Sequence, residues 1–142
     1  MEDVLHLHAT ELKVSLDEAR HHVLSYPMLE SALVRPRNAA VYGNADLTTQ
    51  AAHLLWGIIK DHPFIDANKR TAWMTAQYFL NLHGYLMDES YGGAFETVRG
   101  VAEGNLDQDQ VDDWIRNNLV TIGQLSLPGI PLPFPRRSRR RR

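Results

Sequence analysis

The amino-acid sequence predicts an all-α fold, a compact helical bundle with one small extended segment and a Pro/Arg-rich C-terminal tail. Three observations favour this fold class. Apolar residues recur at helical spacing over most of the chain, capping residues precede several of these stretches, and strand signals are confined to one short segment. The length of 142 residues suits one domain with a substantial core.

Composition narrows the class of protein further. Hydrophobic residues make up 44% of the chain and charged residues 23%, as in ordinary globular domains. Because cysteine is absent, there is no disulfide framework, thiol nucleophile or cysteine-based zinc site. The acidic start and the lack of an apolar run of about 18–20 residues argue against a signal peptide and a membrane span. We therefore expect a cytoplasmic protein.

The first predicted elements are short. Ser15 and Glu18 form a capping box for a helix that ends near Ser25. A second helix is predicted over residues 28–33. Residues 35–43 are expected to be partly extended, as a loop or a small hairpin, because a proline and a glycine bracket them.

Two apolar helices follow. Asp46 lies among N-cap candidates for a helix over residues 50–61, which is apolar on more than one face and is expected at the centre of the bundle. The next helix is predicted over residues 68–83, with Gly84 as its left-handed terminating residue.

Two further helices complete the predicted bundle. Apolar residues from Phe95 onward mark a helix that Gly104 ends, and Asp107 caps the last helix, with Trp114 and Ile115 facing inward.

The C-terminal tail differs in charge from the rest of the chain. We place the folded domain at residues 1–125 and the tail, predicted to be disordered, at residues 126–142, where four prolines precede a run of arginines. Six arginines lie between residues 136 and 142, so residues 1–135 hold 9 basic and 17 acidic residues and carry a net charge of −8. Only the tail is therefore suited to nucleic acid.

The connector at residues 62–70 has unusual contents for a link between two helices. It holds an imidazole, a carboxylate, an amide and two cations, and it opens a helix whose first N–H groups lack intrahelical partners. A carboxylate beside a phosphate site suits Mg²⁺, and a histidine can take a proton from an attacking hydroxyl. The alternative is structural: Asp66 and His62 could be helix caps, and the cations could simply be solvated. Spacing alone leaves the two interpretations about equal.

The connector resembles the signature of the Fic/Doc family, specifically its Doc (death-on-curing) branch. Residues 62–72 read His-Pro-Phe-Ile-Asp-Ala-Asn-Lys-Arg-Thr-Ala. The Fic pattern is HPFx(D/E)GNGRxxR, and the Doc pattern tends to HxFx(D/N)(A/G)NKRTA. Residues 35–43 also resemble the family's substrate-docking flap. The resemblance extends over about residues 4–120 and implies a helical bundle.

The resemblance implies a role for each matching residue. His62 would be the catalytic base that activates a hydroxyl of a target protein, and Asp66 would bind Mg²⁺. The nucleotide phosphates would be held at the helix start, and Phe64 would be a buried support of the loop. The residues of the phosphate site would be Ala67, Asn68, Lys69 and Arg70, with Asn68 in the anion hole. The flap would dock the target as an added strand through Arg35, Arg37, Asn38, Val41 and Tyr42.

Two departures from the Fic pattern bear on the reaction. Lys69 replaces the second glycine and Trp73 replaces the last arginine, and these two positions help Fic enzymes to seat ATP for AMP transfer. Doc-type toxins share both departures. The resemblance therefore favours transfer of the γ-phosphate of ATP to a Ser/Thr hydroxyl, with elongation factor Tu as the expected target and translation as the inhibited process.

The resemblance also implies a partner. Glu103-Gly104 lacks the serine or threonine of the family's self-inhibitory motif, since Arg99 occupies that position, and we interpret it as an ordinary helix end. Silencing by a separate antitoxin is then expected, in a toxin–antitoxin system of a prokaryote, a phage or a plasmid.

Two other functions stay open at this stage. One is AMP transfer to a protein hydroxyl. The other is a non-catalytic module that holds RNA or DNA through the arginine tail, with sequence-independent and salt-sensitive affinity. A second, histidine-based metal site is disfavoured, because no histidine pair stands at a convincing ligand spacing from a carboxylate.

Overall fold

The computed structural model describes residues 1–88 and 93–122 and confirms the all-α fold class. The helices are α1 (Glu2–Leu12), α2 (Leu16–His21), α3 (Tyr26–Gly43), α4 (Leu47–Asp61), α5 (Asn68–Leu82), α6 (Ala94–Ala102) and α7 (Gln108–Asn118). The strands are β1 (Tyr85–Met87) and β2 (Leu119–Thr121). No helix of the described residues has the length and hydropathy needed to cross a membrane.

The central helix is α4, as its apolar character predicts. It packs against α3, α5, α6 and α7, and its side chains form the middle of the main hydrophobic core. Asp46 caps it by accepting the N–H of Thr49 (3.1 Å), which confirms the predicted cap. A smaller core is formed by Val4, Leu5, Leu29 and Phe64, under the connector between α4 and α5.

The predicted ends of the later helices are confirmed. Gly84 adopts φ +86° directly after the last turn of α5, and Gly104 adopts φ +79° after α6. Asp107 and Gln110 form a reciprocal capping box at the start of α7. Ile115 and Leu119 are fully buried, whereas Phe95, at the start of α6, is 71% exposed.

The prediction for the first third of the chain was partly wrong. Ser15 caps α2 through the N–H of Glu18 (3.1 Å), but α2 ends at His21 instead of near Ser25. Pro27 belongs to the next helix. It lies in the first turn of α3, where a residue without an N–H fits because that group would have no intrahelical acceptor.

The prediction that residues 35–43 are partly extended was also wrong. These residues form the second half of α3, with Pro36 inside the helix. Packing on α4 accounts for the continuation, because Gly57 lets α3 approach so closely that an added Cβ would lie 3.1 Å from Arg35 Cδ. Arg35 also pairs with Asp61 (Nη2 to Oδ1, 3.0 Å), so the residue directly before the proline is held against α4.

Two elements were not predicted at all. One is α1. The other is the two-stranded antiparallel sheet, in which Tyr85 pairs with Thr121 and Met87 with Leu119. The proposed boundary at residue 125 and the tail at 126–142 lie outside the described residues.

Candidate active site

The connector between α4 and α5 begins at His62, the C-terminal cap of α4. His62 adopts the left-handed conformation (φ 51°, ψ 53°), and its N–H donates to Ile58 O (3.1 Å). This conformation turns the chain away from the helix axis before Pro63, and the imidazole is exposed. The prediction that His62 emerges at the end of the preceding helix is confirmed.

The connector is held from below by Phe64 and Asn68. The Phe64 side chain is fully buried. Its N–H donates to Asn68 Oδ1 (3.0 Å), and its carbonyl accepts from Asn68 Nδ2 (2.8 Å). Because both polar atoms of the buried amide are used in this way, the Asn68 side chain closes the connector into a fixed turn. Only the backbone N–H of Asn68 remains for an anion.

A second set of backbone contacts ties the connector to the segment between α2 and α3. Leu24 N–H donates to Pro63 O (2.7 Å), and Ile65 N–H donates to His22 O (2.8 Å). These bonds flank an antiparallel bridge between Val23 and Phe64. The connector is therefore a short, firmly held strand-like turn, although it contains no regular strand.

The start of α5 presents free N–H groups. Ala67 precedes the helix in the left-handed conformation (φ 61°), and no side chain caps α5. The first intrahelical acceptor, Ala67 O, bonds to Thr71 N–H (2.9 Å), so the N–H groups of residues 68–70 have no intrahelical partner. Together with the helix dipole, such groups favour an anion.

These parts meet in one open cavity of about 230 Å³. Six of the predicted site residues line it: His62, Asp66, Ala67, Asn68, Lys69 and Arg70. The imidazole, the carboxylate and both cations are solvent-exposed there, so a ligand can reach all of them. The structure thus brings together every residue expected at the phosphate and base positions.

A larger groove of about 370 Å³ adjoins this cavity and shares Lys69 and Arg70 with it. Its walls are mostly apolar, with Trp73 and Met74 from α5 and Phe95 from α6. We refer to it as the α5–α6 groove. Sequence reasoning did not identify this groove, since its two walls are separated by residues 83–93.

Glu11 is a site residue that the sequence did not reveal. It lies on α1, lines the α5–α6 groove, and places Oε1 3.6 Å from Arg70 Nη1. Arg70 is still 55% exposed, so this contact leaves the guanidinium accessible to a phosphate. Since α1 itself was not predicted, nothing in the sequence indicated its contact with a residue 59 positions away.

Asp66 is the residue that could hold a divalent cation. Its Oδ1 accepts the N–H of Ala67 (2.7 Å), and Oδ2 has no partner among the described residues. No cluster of three or more His, Asp or Glu side chains suited to a metal occurs in residues 1–88 and 93–122. The donor set fits Mg²⁺, which is commonly held by one carboxylate together with phosphate and water oxygens.

Comparison with known proteins identifies the family to which the chain belongs. The sequence model of the Fic/DOC family matches residues 1–80, from α1 through the connector and most of α5. The chain belongs to the Fic/DOC family. It is also 35% identical over 94 residues to the Toxin Doc of Mycolicibacterium smegmatis, a match that covers 63% of this chain and 72% of that toxin. Members of the Fic/DOC family are typically enzymes that modify other proteins.

The residues expected to act as the Fic/DOC flap do not line the cavity at His62, although Arg35 pairs with Asp61, the residue directly before His62. Asn38 and Tyr42 line a different, open cavity of about 570 Å³, together with Asp46, Thr49 and His53. Val41 and Tyr42 are 63% and 85% exposed. Because residues 35–43 are helical, they offer no free strand edge for adding a target strand here, and the docking of a target by these residues stays a prediction.

Proposed function

We propose that this protein is a Doc-like toxin of a toxin–antitoxin system, which transfers the γ-phosphoryl group of ATP to a Ser/Thr hydroxyl of a target protein. The observation that carries the proposal is the shared cavity, in which an imidazole, a carboxylate, two cations and an uncapped helix start surround one space. The similarity to Toxin Doc supports the biological class.

The proposed reaction assigns one task to each group. The N–H groups of residues 68–70, with Lys69 and Arg70, bind the phosphates and neutralise their charge. The target hydroxyl oxygen attacks the γ-phosphorus, the bond from that phosphorus to the bridging oxygen breaks, and ADP leaves. His62 accepts the hydroxyl proton. Asp66 would hold Mg²⁺, which supplies further charge neutralisation, and phosphoryl transfer needs little covalent assistance beyond this.

Two residues favour phosphoryl transfer over AMP transfer. Lys69, which stands where Fic enzymes have a glycine, lines both the cavity and the α5–α6 groove. Trp73 stands where they have an arginine, and its ring lies 5.7 Å from that of Trp114. An indole in this position supplies no cation for the α- and β-phosphates. We propose elongation factor Tu as the target because of the resemblance to Doc-type toxins.

The proposal includes an antitoxin that acts in trans. Glu103, at the end of α6, pairs with Arg99 (Nε to Oε1, 3.0 Å) and takes no part in the cavity. The α5–α6 groove combines apolar walls with Lys69, Arg70 and Arg99, which suits an amphipathic segment of a partner with acidic groups. Such a segment would also cover the two cations of the phosphate site.

The experiment that tests the function uses ATP labelled at either the α- or the γ-phosphate, incubated with the protein and a bacterial lysate. We expect a target protein to retain label from the γ position alone. Retention of α-label would instead assign AMP transfer. His62→Ala should reduce labelling at least 100-fold, because removal of a general base typically costs 10²–10⁴ in rate.

The matched control for His62→Ala replaces a histidine that lies outside the candidate site, at the C-terminal end of α5. His83 is exposed at the far end of α5, where Nδ1 contacts Phe79 O (2.9 Å). His83→Ala should therefore label the target at the wild-type rate. Equal activity of His62→Ala and wild type would remove His62 from the mechanism.

A further inference from the structure

His8 lies directly beneath the connector that carries the candidate active site. It belongs to α1, is fully buried, and stacks on the ring of Phe64 with centroids 4.0 Å apart and planes 11° from parallel. Phe64 is the residue whose peptide is clamped by Asn68. The imidazole therefore packs directly on a residue of the turn between His62 and Asp66.

Two polar contacts fix the orientation of the imidazole. Nδ1 lies 2.8 Å from Thr71 Oγ1, in the first turn of α5, and Nε2 lies 3.1 Å from Nδ1 of His22. His22 in turn accepts the N–H of Ile65 through its carbonyl (2.8 Å). One side chain thus links α1, the start of α5 and the segment that pairs with the connector.

The contacts suit a neutral ring. A neutral imidazole has one donor and one acceptor nitrogen, which match a hydroxyl and a second imidazole. The charged and titratable groups that face it are His22 beside it, Asp66 on the connector and Arg70 on α5. Burial, and after it the nearby His22, lowers the pKa of His8 to about 4, so the ring is neutral at pH 7.

We propose that His8 is a positioning residue for the candidate active site, which acts through Phe64 to hold the connector between His62 and Asn68 in its reactive geometry. A shift of about 1 Å in such a connector is enough to reduce a rate about 100-fold. The packing part of this proposal stands by itself, and only its effect on turnover rests on the proposed function.

The test compares His8→Phe with wild type. Phenylalanine keeps an aromatic ring against Phe64 and removes both polar contacts. We expect the amide hydrogens of Phe64 and Ile65 to exchange at least tenfold faster, while those of α7 exchange at the wild-type rate. In the ATP-labelling assay, kcat should fall at least tenfold while KM for ATP changes less than twofold.

A double-mutant cycle separates positioning from general stability. Thr71→Val removes one partner of His8 at nearly constant volume, and the variant with both changes should exchange no faster than His8→Phe alone. Ile115→Val, in the main core, is the control that lowers stability without touching this cluster. If His8→Phe does not fold, Thr71→Val must produce the same local acceleration.

The proposal is overturned if the Phe64 and Ile65 amides exchange at the wild-type rate, or if α7 accelerates equally. The latter result would make His8 a general core residue. If wild type labels no target, the proposed function fails, but the exchange experiment still decides whether His8 holds the connector.

Discussion

At the scale of single residues, His8 stands apart from the other histidines. All seven lie within the described residues, and His8 is the one that is fully buried. A buried imidazole with a lowered pKa binds its proton more weakly in the folded protein than in the unfolded chain. Folding is therefore coupled to pH through this side chain.

We expect stability to decrease as the pH falls from about 6.5 to about 4. The pKa of His8 changes from 6.5 in the unfolded chain to about 4 in the fold, so the unfolded state takes up the proton first. Full protonation would remove up to about 3 kcal/mol of unfolding free energy. Urea titrations at pH 7, 5.5 and 4 measure this, and His8→Phe should show a smaller decrease over the same interval. An identical decrease in both proteins would contradict the assignment.

Asp46 acts in a separate pH window. Burial raises the pKa of Asp46, but the hydrogen bonds from Arg116 Nη2 (2.7 Å), the Thr49 N–H (3.1 Å) and the Thr48 hydroxyl (3.0 Å) together outweigh it and bring the pKa to about 2. A carboxylate with a lowered pKa stabilises the fold above its ordinary value of 3.8 and loses that contribution as the pH falls towards 2. As the pH falls, the loss of stability due to Asp46 therefore begins where the loss due to His8 is nearly complete.

At the scale of elements, the connector between α4 and α5 is strained at both ends. His62 and Ala67 both adopt positive φ angles, 51° and 61°, which residues other than glycine seldom take, although histidine takes them more often than alanine. Strain of this kind persists where the surrounding contacts over-determine the backbone. Here the Asn68 clamp and the bridge to Val23 provide those contacts.

Ala67→Gly is expected to stabilise the protein by about 1 kcal/mol, because glycine adopts the left-handed conformation without the clash of a Cβ. Chemical denaturation measures the change. Ala102→Gly is the control, since Ala102 is exposed in the right-handed helix α6, where glycine costs about 0.5–1 kcal/mol. The strain argument fails if the two variants are equally destabilised.

The elements also show which parts of the fold the sequence could predict. Caps such as Asp46 and Asp107 act within one helical turn, so their residue types and spacing are sufficient to recognise them. The continuation of α3 through Pro36 depends on close contact with Gly57, and the pairing of Tyr85 with Thr121 joins distant segments. Neither has a local signal.

The residues of the candidate site likewise fall into those that the sequence could predict and those that it could not. Residues 62–70 are contiguous, so the cavity that they line could be anticipated from the order of their residue types. His8 and Glu11 come from α1, which was missed although Val4, Leu5 and Ala9 are buried at helical spacing with His8 among them. A histidine inside an apolar stripe obscured that pattern. The polar contacts with Thr71 and His22 explain the burial of His8, and both partners are distant in the sequence.

At the scale of the whole molecule, the site and the C-terminal end of the described chain lie at opposite ends of α5. Ile122 N–H donates to Gly84 O (3.1 Å), just beyond the last turn of that helix. The 15 residues of α5 span about 22 Å, with the candidate active site at the other end. Ile122, the last described residue, therefore lies far from the cavity.

Deletion of residues 126–142 should leave toxicity and phosphoryl transfer within twofold of the full-length protein. The physical reason is that the residues lining the cavity all precede the deleted segment, together with the net charge of −8 on residues 1–135, which opposes binding of nucleic acid. Growth inhibition after induction and the labelling assay measure the outcome. Loss of function on deletion, with steep salt dependence of the full-length protein, would instead support the nucleic-acid-binding hypothesis.

The contact between Trp73 and Trp114, 5.7 Å between ring centroids, has a practical consequence. Trp73 lines the α5–α6 groove one turn after Arg70, whereas Trp56 belongs to α4 and packs against the main core. In a Trp56→Phe background, the tryptophan emission would come entirely from Trp73, which lines the groove, and its neighbour Trp114. The protein then carries its own optical sensor, with which arrival of a nucleotide or a partner segment can be followed by stopped flow without any attached dye.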